Sequence, residues 1–223
     1  MMQIRVGFEM IYDCPQSTPM IFNLNVHFTR VSDLVGRDDL VFDPPVPMAG
    51  YCDSFGNWCT RVVAPKGRMR ISADAIVNDT GAPDVIVPEA QQIPVHNLPE
   101  ETLLFLLGSR YCETDRLSET AWKLFGPASA AFCRCMNIPA RYCTGYLGDV
   151  GVPPPLGTPD FAAWFEVFLG GLWHIVDALN NIRRIGRVLI AHSRDASNVA
   201  ISSTFGPNTL TSFRVWTDEV RAA

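Results

Sequence analysis

The chain has 223 residues, enough for one large domain or two small ones without support from disulfides or metals. Its 18 Lys and Arg against 23 Asp and Glu give a net charge of -5, without a basic run interleaved with aromatic residues, which argues against a nucleic-acid partner. No stretch reaches the roughly 18 apolar residues of a membrane span, and no signal-peptide pattern opens the chain. These features predict a cytoplasmic protein with no membrane partner.

The seven cysteines are an odd number in a chain without an evident secretion signal, so free thiols are expected. The Cys133-x-Cys135 pair, with Cys143 further on, is the arrangement that comes nearest to a metal site. A zinc site would need a second Cys or His pair beside it, and no carboxylate cluster follows the calcium-loop pattern. We therefore predict no metal ion and no cofactor.

The first 80 residues alternate apolar and polar side chains over several short segments, which is typical of half-buried strands. Clusters of Pro, Gly, Asp and Asn separate these segments and mark turns. Strands are predicted at residues 2–12, 20–29, 58–64 and 68–77. Residues 1–80 are therefore predicted to form an antiparallel β-sandwich domain.

Residues 81–108 are predicted to be a linker that ends in a short helix. Four prolines and Gly81 occur in residues 80–99 with few charges, which is typical of a segment that crosses the surface. Pro99 then opens a helix that is predicted to run through Leu107.

The remaining residues, 109–223, are predicted to combine short helices with strands. Residues 118–125 have helical spacing that Gly126-Pro127 ends. A second helix over 128–136 is shorter than the roughly 12–15 residues at which an isolated helix is even marginal, so tertiary packing must hold it. Strands are predicted at 140–147, 161–169, 172–178, 187–191 and 212–216.

Two motifs stand out in this second half. The segment Asp160–Ala178 is predicted to form two aromatic-rich strands around the turn Gly170-Gly171. Before it, a helix end leads through Ile-Pro-Ala-Arg at 138–141 into a strand that closes on Gly145-Tyr146. The proline at 139 ends the helix and biases the residue before it toward an extended backbone.

Together these motifs resemble the transglutaminase-like superfamily, a set of papain-like Cys-His-Asp enzymes. The β-rich first half is similar to the N-terminal region of bacterial members, so the resemblance covers nearly the whole chain. It implies an α+β fold, in which an antiparallel β-sandwich precedes a papain-like domain with an antiparallel sheet and few helices. It also implies cysteine chemistry on a peptide or glutamine-type amide of a peptide or protein substrate, by hydrolysis or acyl transfer.

The resemblance assigns the triad Asp to Asp177 and the position of the triad His to Ala162. The nucleophile belongs on a Gly-x-Cys turn at the start of the helix that ends before Ile138, but no cysteine occurs between Cys112 and Cys133. Either the protein has lost this helix start, near 126–131, or the sequence as written omits it. Triad members act as a unit, so covalent chemistry stops without nucleophile and His.

Other thiols and imidazoles are poor substitutes for the missing groups. Cys133 and Cys135 lie near a helix C-terminus, where the macrodipole disfavours a thiolate, and Cys143 either faces the site or packs. His174 falls on the opposite strand face from Asp177. Ordinary surface or half-buried positions are expected for His27, His96 and His192.

Trp164 and Glu166 are predicted to line or support the same cleft, with sheet packing and a solvated edge charge as the alternatives. Two functions remain: a transglutaminase-like cysteine enzyme that is inactive as written, or a non-catalytic binding or assembly module on the same fold. A hydrolase based on Glu166 and Asp177 is disfavoured, because nothing positions a second carboxylate or a metal-bound water. Exposed sheet edges allow a homo-oligomer.

Overall fold

The computed structural model describes residues 2–108, 130–151, 161–177 and 182–220. Strands dominate these ranges: β1 (Met2–Cys14), β2 (Thr18–Phe22), β3 (Leu34–Val35), β4 (Val41–Asp43), β5 (Met48–Cys52), β6 (Trp58–Ala64), β7 (Gly67–Asp79), β8 (Ala140–Tyr146), β9 (Phe161–Leu169), β10 (Leu172–Val176), β11 (Val188–Ser193), β12 (Ser202–Thr204) and β13 (Thr209–Glu219).

The described helices are short: α1 (Glu100–Leu103), α2 (Ala130–Cys135), and 3₁₀ turns at Phe28–Asp33, Val95–Asn97, Leu104–Leu106 and Ala196–Val199. Among them none has the length and apolar composition to cross a lipid bilayer. The predicted helix from Pro99 through Leu107 is confirmed as α1 and the 3₁₀ turn that follows it. The predicted helix at 118–125 lies outside the described residues.

Two antiparallel sheets form the first half of the molecule. One has the order β13-β1-β7-β3, with β4 also pairing with β7, and the other has the order β12-β2-β6-β5. Alternate side chains of β1 and β7 enter a core that both sheets share, where each large apolar side chain contributes about 1.5–3 kcal/mol. Its most buried members include Ile4, Phe8, Met10, Met20, Phe22, Val62, Met69 and Ile71.

The C-terminal tail belongs to these sheets as well. β13 pairs with β1 from Ile4↔Glu219 to Asp13↔Thr209, and β12 pairs with β2. Strands from the C-terminal tail therefore complete both sheets of the first half. The domain boundaries at 80 and 109 stay a prediction. Alternation reveals a strand but not its partner, so the sequence alone does not identify this long-range pairing.

The predicted strand at 20–29 is too long. β2 ends at Phe22, and His27 caps the 3₁₀ turn Phe28–Asp33 by accepting a hydrogen bond from the Thr29 backbone. Between them, Asn25 donates to the Asp38 carbonyl oxygen at 2.9 Å. Side-chain hydrogen bonds of this kind replace the ladder that would have continued the strand.

The second half forms a four-stranded antiparallel sheet of order β10-β9-β8-β11. Helix α2 packs on one face of this sheet, where buried Cys133 joins a small apolar cluster with Ile138, Ala140, Phe165 and Val167. This cluster supplies the tertiary packing that such a short helix was predicted to need. With few helices and antiparallel sheets throughout, the fold is the α+β arrangement predicted from the sequence.

Hydrogen bonds hold the linker against this half of the molecule. The Asp84 backbone N–H donates to the Arg184 carbonyl oxygen at 2.9 Å, and the Gln91 carbonyl oxygen accepts from the Gly170 N–H at 2.8 Å. Gln92 donates from its side chain to the Met136 carbonyl oxygen at 2.8 Å. These contacts place Asp84 beside the residues that follow β10.

Candidate active site

One face of the β10-β9-β8-β11 sheet carries the polar residues that the sequence singled out, and we call it the site face. Side chains opposite each other in an antiparallel pair project to the same side. The β9–β8 register pairs Ala162 with Gly145, Trp164 with Cys143, and Glu166 with Arg141. The predicted site residues of β9 and Cys143 therefore share a face.

Asp177, directly after β10, is held by a buried ion pair. Its Oδ2 accepts a hydrogen bond from Arg187 Nη2 at 2.7 Å, and only 4% of the Asp177 side chain and 5% of the Arg187 side chain are exposed. Arg187 Nε also donates to Asp84 Oδ2 at 3.0 Å. One guanidinium thus compensates two carboxylates that would be costly to bury alone.

Trp164 supports this ion pair. The Arg187 guanidinium carbon lies 5.1 Å from the Trp164 ring centroid, within cation–π range. The indole leans over Gly145, because a Cβ on that glycine would lie 2.8 Å from Trp164 Cη2 and 2.1 Å from the Val188 carbonyl oxygen. Because Gly145 has no side chain, the Trp164 ring can lie over it and the backbone of β11 can approach it closely.

Glu166 is a buried acid with a cationic partner. Arg141 Nε donates to Glu166 Oε2 at 2.7 Å, and the Arg141 guanidinium carbon lies 4.2 Å from the Trp173 ring centroid. The alternative prediction of a solvated edge charge is therefore wrong for Glu166. The reason is the register, which places Arg141 directly opposite Glu166 and allows a charge-assisted hydrogen bond.

The candidate substitute thiols are poor nucleophiles. Burial raises the pKa of the Cys133 thiol to about 11. Burial also raises the pKa of Cys143 well above its usual range, and the nearby Glu166 carboxylate adds to this effect. Neither thiol provides a thiolate at neutral pH, which nucleophilic attack requires. Cys135 is the last residue of α2, so it shares the C-terminal position that the macrodipole disfavours for an anion.

Two histidines lie in the interior, contrary to the prediction of surface or half-buried positions. His27 is 1% exposed and His192 is 7% exposed, and their ring centroids are 4.9 Å apart. His192 stands opposite Cys143 in the β11–β8 register. The turn between β5 and β6 covers this pair, since Asn57 exchanges two hydrogen bonds of 2.9 Å with the His192 backbone.

Both buried imidazoles are neutral at physiological pH. Burial, with the positive charge of Arg141 as the second cause, lowers the pKa of His27 to about 4 and that of His192 to about 3. A neutral imidazole beside a neutral thiol is not the thiolate–imidazolium pair of cysteine catalysis. The pair of Cys143 and His192 is therefore no replacement for the triad.

The remaining histidines lie away from Asp177. His174 pairs with Val167, on the opposite face from Glu166, and its Nε2 donates to the Leu169 carbonyl oxygen at 3.0 Å. His96 is an exposed residue of the linker. Within the described ranges, no group of three or more His, Cys, Asp or Glu side chains could hold a metal ion.

The two buried histidines should make stability fall as the pH drops from 7 to 5. Their folded-state pKa values lie below the unfolded value of about 6.5, so the unfolded chain binds protons first. Each histidine then removes on the order of 1 kcal/mol of unfolding free energy per pH unit. Urea denaturation at pH 7, 6 and 5 measures this slope.

The matched variants separate these histidines from other groups. The double variant His27→Gln/His192→Gln should have a markedly smaller slope than the unaltered chain. Replacing the exposed His96 with Gln should leave the slope unchanged. An identical slope in the double variant would contradict the assignment.

Comparison with protein families matches residues 124–178 to the transglutaminase-like superfamily. This segment contains α2, β8, β9 and β10, and with them most of the site face. The chain carries a transglutaminase-like domain. The resemblance inferred from the sequence motifs is thus confirmed over these residues.

A solved structure has the same fold as the entire chain. It is a crystal structure from Cytophaga hutchinsonii, described as a "Putative Cysteine Protease", with a TM-score of 0.80 and 25% sequence identity. The similarity covers 100% of this chain and 92% of that chain. No curated protein matches the sequence at a significant level.

The transglutaminase-like domain brings together Asp177, Trp164, Glu166 and Cys143 on the site face, with Ala162 at the position predicted for the family His. Cys133 lies among residues of the opposite face. The predicted helix start near 126–131, where the family nucleophile belongs, lies largely outside the described residues.

Sequence reasoning missed the partners of these acids. Arg187, Asp84 and Arg141 contact the predicted site, but no sequence motif assigned them to it. A signal was available, because three arginines occur between 183 and 187, soon after Asp177. A second signal was Asp84, an isolated acid in a linker with few charges.

Proposed function

We propose that this protein keeps the transglutaminase-like fold as a binding or assembly module for peptide or protein chains, and that its described residues perform no Cys-His-Asp catalysis. The observation that carries the proposal is the Asp177–Arg187 ion pair, on the same sheet face as Ala162. In a working triad the carboxylate accepts a hydrogen bond from imidazole and orients it. Here the Asp177 carboxylate accepts its hydrogen bond from the Arg187 guanidinium.

Arginine cannot replace histidine in this role. Its guanidinium stays protonated at every relevant pH, so it cannot take a proton from a thiol or return one to a leaving amine. Ala162 offers only a methyl group. The ion pair is also fixed from two further sides, by Asp84 and by the Trp164 ring. These contacts support a rigid site face that binds rather than reacts.

A second candidate is a cysteine enzyme of the same family that acts on peptide or glutamine-type amides with a nucleophile segment absent from the sequence as written. The burial of the Asp177 side chain, which is 4% exposed, favours this second function. Intact-mass measurement of the natural protein distinguishes the two. A mass above 24.7 kDa together with an additional thiol would support the enzyme.

Activity and thiol reactivity test the proposal directly. The chain is incubated with casein and a fluorescent primary amine, and separately with peptide amides, and its thiols are alkylated with iodoacetamide at pH 7. We expect no amine incorporation and no hydrolysis above the blank. Cys52 is exposed and should react as an ordinary thiol, so Cys52→Ser serves as the reference for selective alkylation.

The decisive control is Asp177→Asn, which removes the carboxylate charge with little change of shape. Turnover that this variant abolishes would overturn the proposal, because it would show that Asp177 acts in a catalytic site. Rapid alkylation of one buried thiol in the Cys52→Ser background would do the same. Turnover that the variant leaves intact would have to come from a contaminant.

A further inference from the structure

A groove lies on the outer face of the five-stranded sheet, on strands other than those of the site face. Its volume is about 470 Å³, within the roughly 300–1,000 Å³ of sites for small ligands. We call it the indole groove, and its principal residues are Arg5, Glu9, Arg70, Asp74, Arg214 and Trp216. The transglutaminase-like site face does not explain its presence.

An aromatic ring lies flat on the floor of the indole groove. Gly7 of β1 pairs with Trp216 on one side and with Asp74 on the other. A Cβ on Gly7 would lie 2.4 Å from Trp216 Cε2, and Trp216 Nε1 donates to Asp74 Oδ1 at 2.9 Å. The indole therefore crosses the bare backbone of Gly7, with one ring face against the sheet. Trp216 lines the groove, and the Arg5 guanidinium carbon lies 6.0 Å from its ring centroid, so Arg5 borders the ring on this side.

Hydrogen-bonding groups border the indole on both sides. Arg5 donates to both oxygens of Asp74 at 2.9 and 2.8 Å, and Arg70 Nε donates to Glu9 Oε2 at 2.6 Å. Arg214 is 70% exposed and lies 3.8 Å from Glu9, too far for a hydrogen bond. This long, exposed ion pair is weak, so the Arg214 guanidinium can exchange Glu9 for a ligand carboxylate at little cost.

The charge of the indole groove has the opposite sign from that of the chain. With the rim residues Arg37 and Asp39 included, four arginines face three carboxylates, whereas the whole chain has a net charge of -5. Exposed ion pairs such as these contribute only about 0–1 kcal/mol each. Exchanging one partner for a ligand group therefore costs little, and a ligand with one negative charge would balance the surplus.

We propose that the indole groove binds a sugar ring that carries a carboxylate, as part of an acidic oligosaccharide. The C–H face of a pyranose packs on a flat aromatic ring, which Trp216 supplies. Arg214 would pair with the sugar carboxylate through two parallel hydrogen bonds. The carboxylates of Asp74 and Glu9 would accept from ring hydroxyls. A peptide of Asp and Glu alone would use the arginines but would leave the indole uncovered.

Titration with tri-galacturonic acid, followed by calorimetry, tests the proposal. We expect saturable binding that Trp216→Ala and Arg214→Ala each weaken at least about tenfold, as expected for loss of a stacking surface or a charge-assisted contact. Arg68→Ala is the matched control, because Arg68 is on the same sheet face but outside the groove. Arg68 is also 70% exposed and has its own partner in Asp13. This control should bind like the unaltered chain.

Several results would overturn the proposal. One is no saturable binding at about 10 mM, which is weaker than a specific subsite should be. Another is equal binding of neutral galactotriose, which would remove the role of the carboxylate. A third is equal binding of triglutamate with no effect of Trp216→Ala, which would indicate a peptide surface. Because Trp216→Ala also loses a hydrogen bond, Trp216→Tyr checks the fold and should retain most of the binding.

Discussion

Replacing Arg187 with Ala should destabilise the protein by about 3–5 kcal/mol, because it leaves buried carboxylates without their cation. Arg187 is 5% exposed and lies between Asp177 and Asp84, at 2.7 Å and 3.0 Å. Removing it also takes away the cation over the Trp164 ring. Urea denaturation at pH 7, with unchanged m-value, gives the loss directly.

Two further variants show whether charge is the cause. Arg214→Ala removes a 70% exposed guanidinium and should cost no more than about 0.5 kcal/mol. The double variant Arg187→Ala/Asp177→Asn should be more stable than Arg187→Ala alone, since one uncompensated charge is gone. If Arg187→Ala lost less than about 1 kcal/mol, the ion pair would not hold Asp177 as described.

Replacing Gly145 with Ala should cost about 3 kcal/mol, at the upper end of ordinary overpacking. The new Cβ would lie 2.1 Å from the Val188 carbonyl oxygen, so β8 and β11 must move apart. It would also meet the Trp164 ring, which would have to leave its place beside Arg187. Thermal or urea denaturation gives the loss, and quenched or shifted Trp fluorescence reports the displaced ring.

Gly50 provides the matched control. A Cβ there would lie 2.2 Å from Trp58 Cζ2, a contact as short as the one at Gly145. Trp58 is 47% exposed, however, and its ring can swing away without moving the backbone. Gly50→Ala should therefore cost less than about 1 kcal/mol. Equal losses at both glycines would show that the backbone contact at Gly145 is not the cause.

The two proposed binding regions lie on different sheets and can be tested independently. The site face is organised around the buried Asp177–Arg187 ion pair, whereas the indole groove is open and organised around Trp216. A chain that has lost acyl-transfer chemistry would still present both surfaces. Loss of saccharide binding would leave the proposal for the site face untouched, and detectable catalysis would leave the indole groove untouched.

Local pattern predicted most of the strands. Alternation at 2–12, 58–64 and 68–77 placed β1, β6 and β7, because apolar side chains every second residue suit one buried sheet face. The same alternation predicted that His174 lies on the opposite strand face from Asp177. It failed at 20–29, where side chains of Asn25 and Asp38 compete with the ladder. That competition depends on residues 12 or 13 positions apart, which a periodicity does not contain.

Motifs in the sequence predicted the transglutaminase-like resemblance and the α+β class, and they pointed to Asp177 and Ala162 as site residues. These follow from local order, such as alternation, turn residues and a motif within one stretch of chain. The assembled structure showed in addition that Arg187 pairs with both Asp177 and Asp84, that His27 and His192 are buried together, and that β13 closes the first sheet on β1. Each of these depends on contacts between residues far apart in sequence, whose partners are chosen by burial and charge when the sheets assemble.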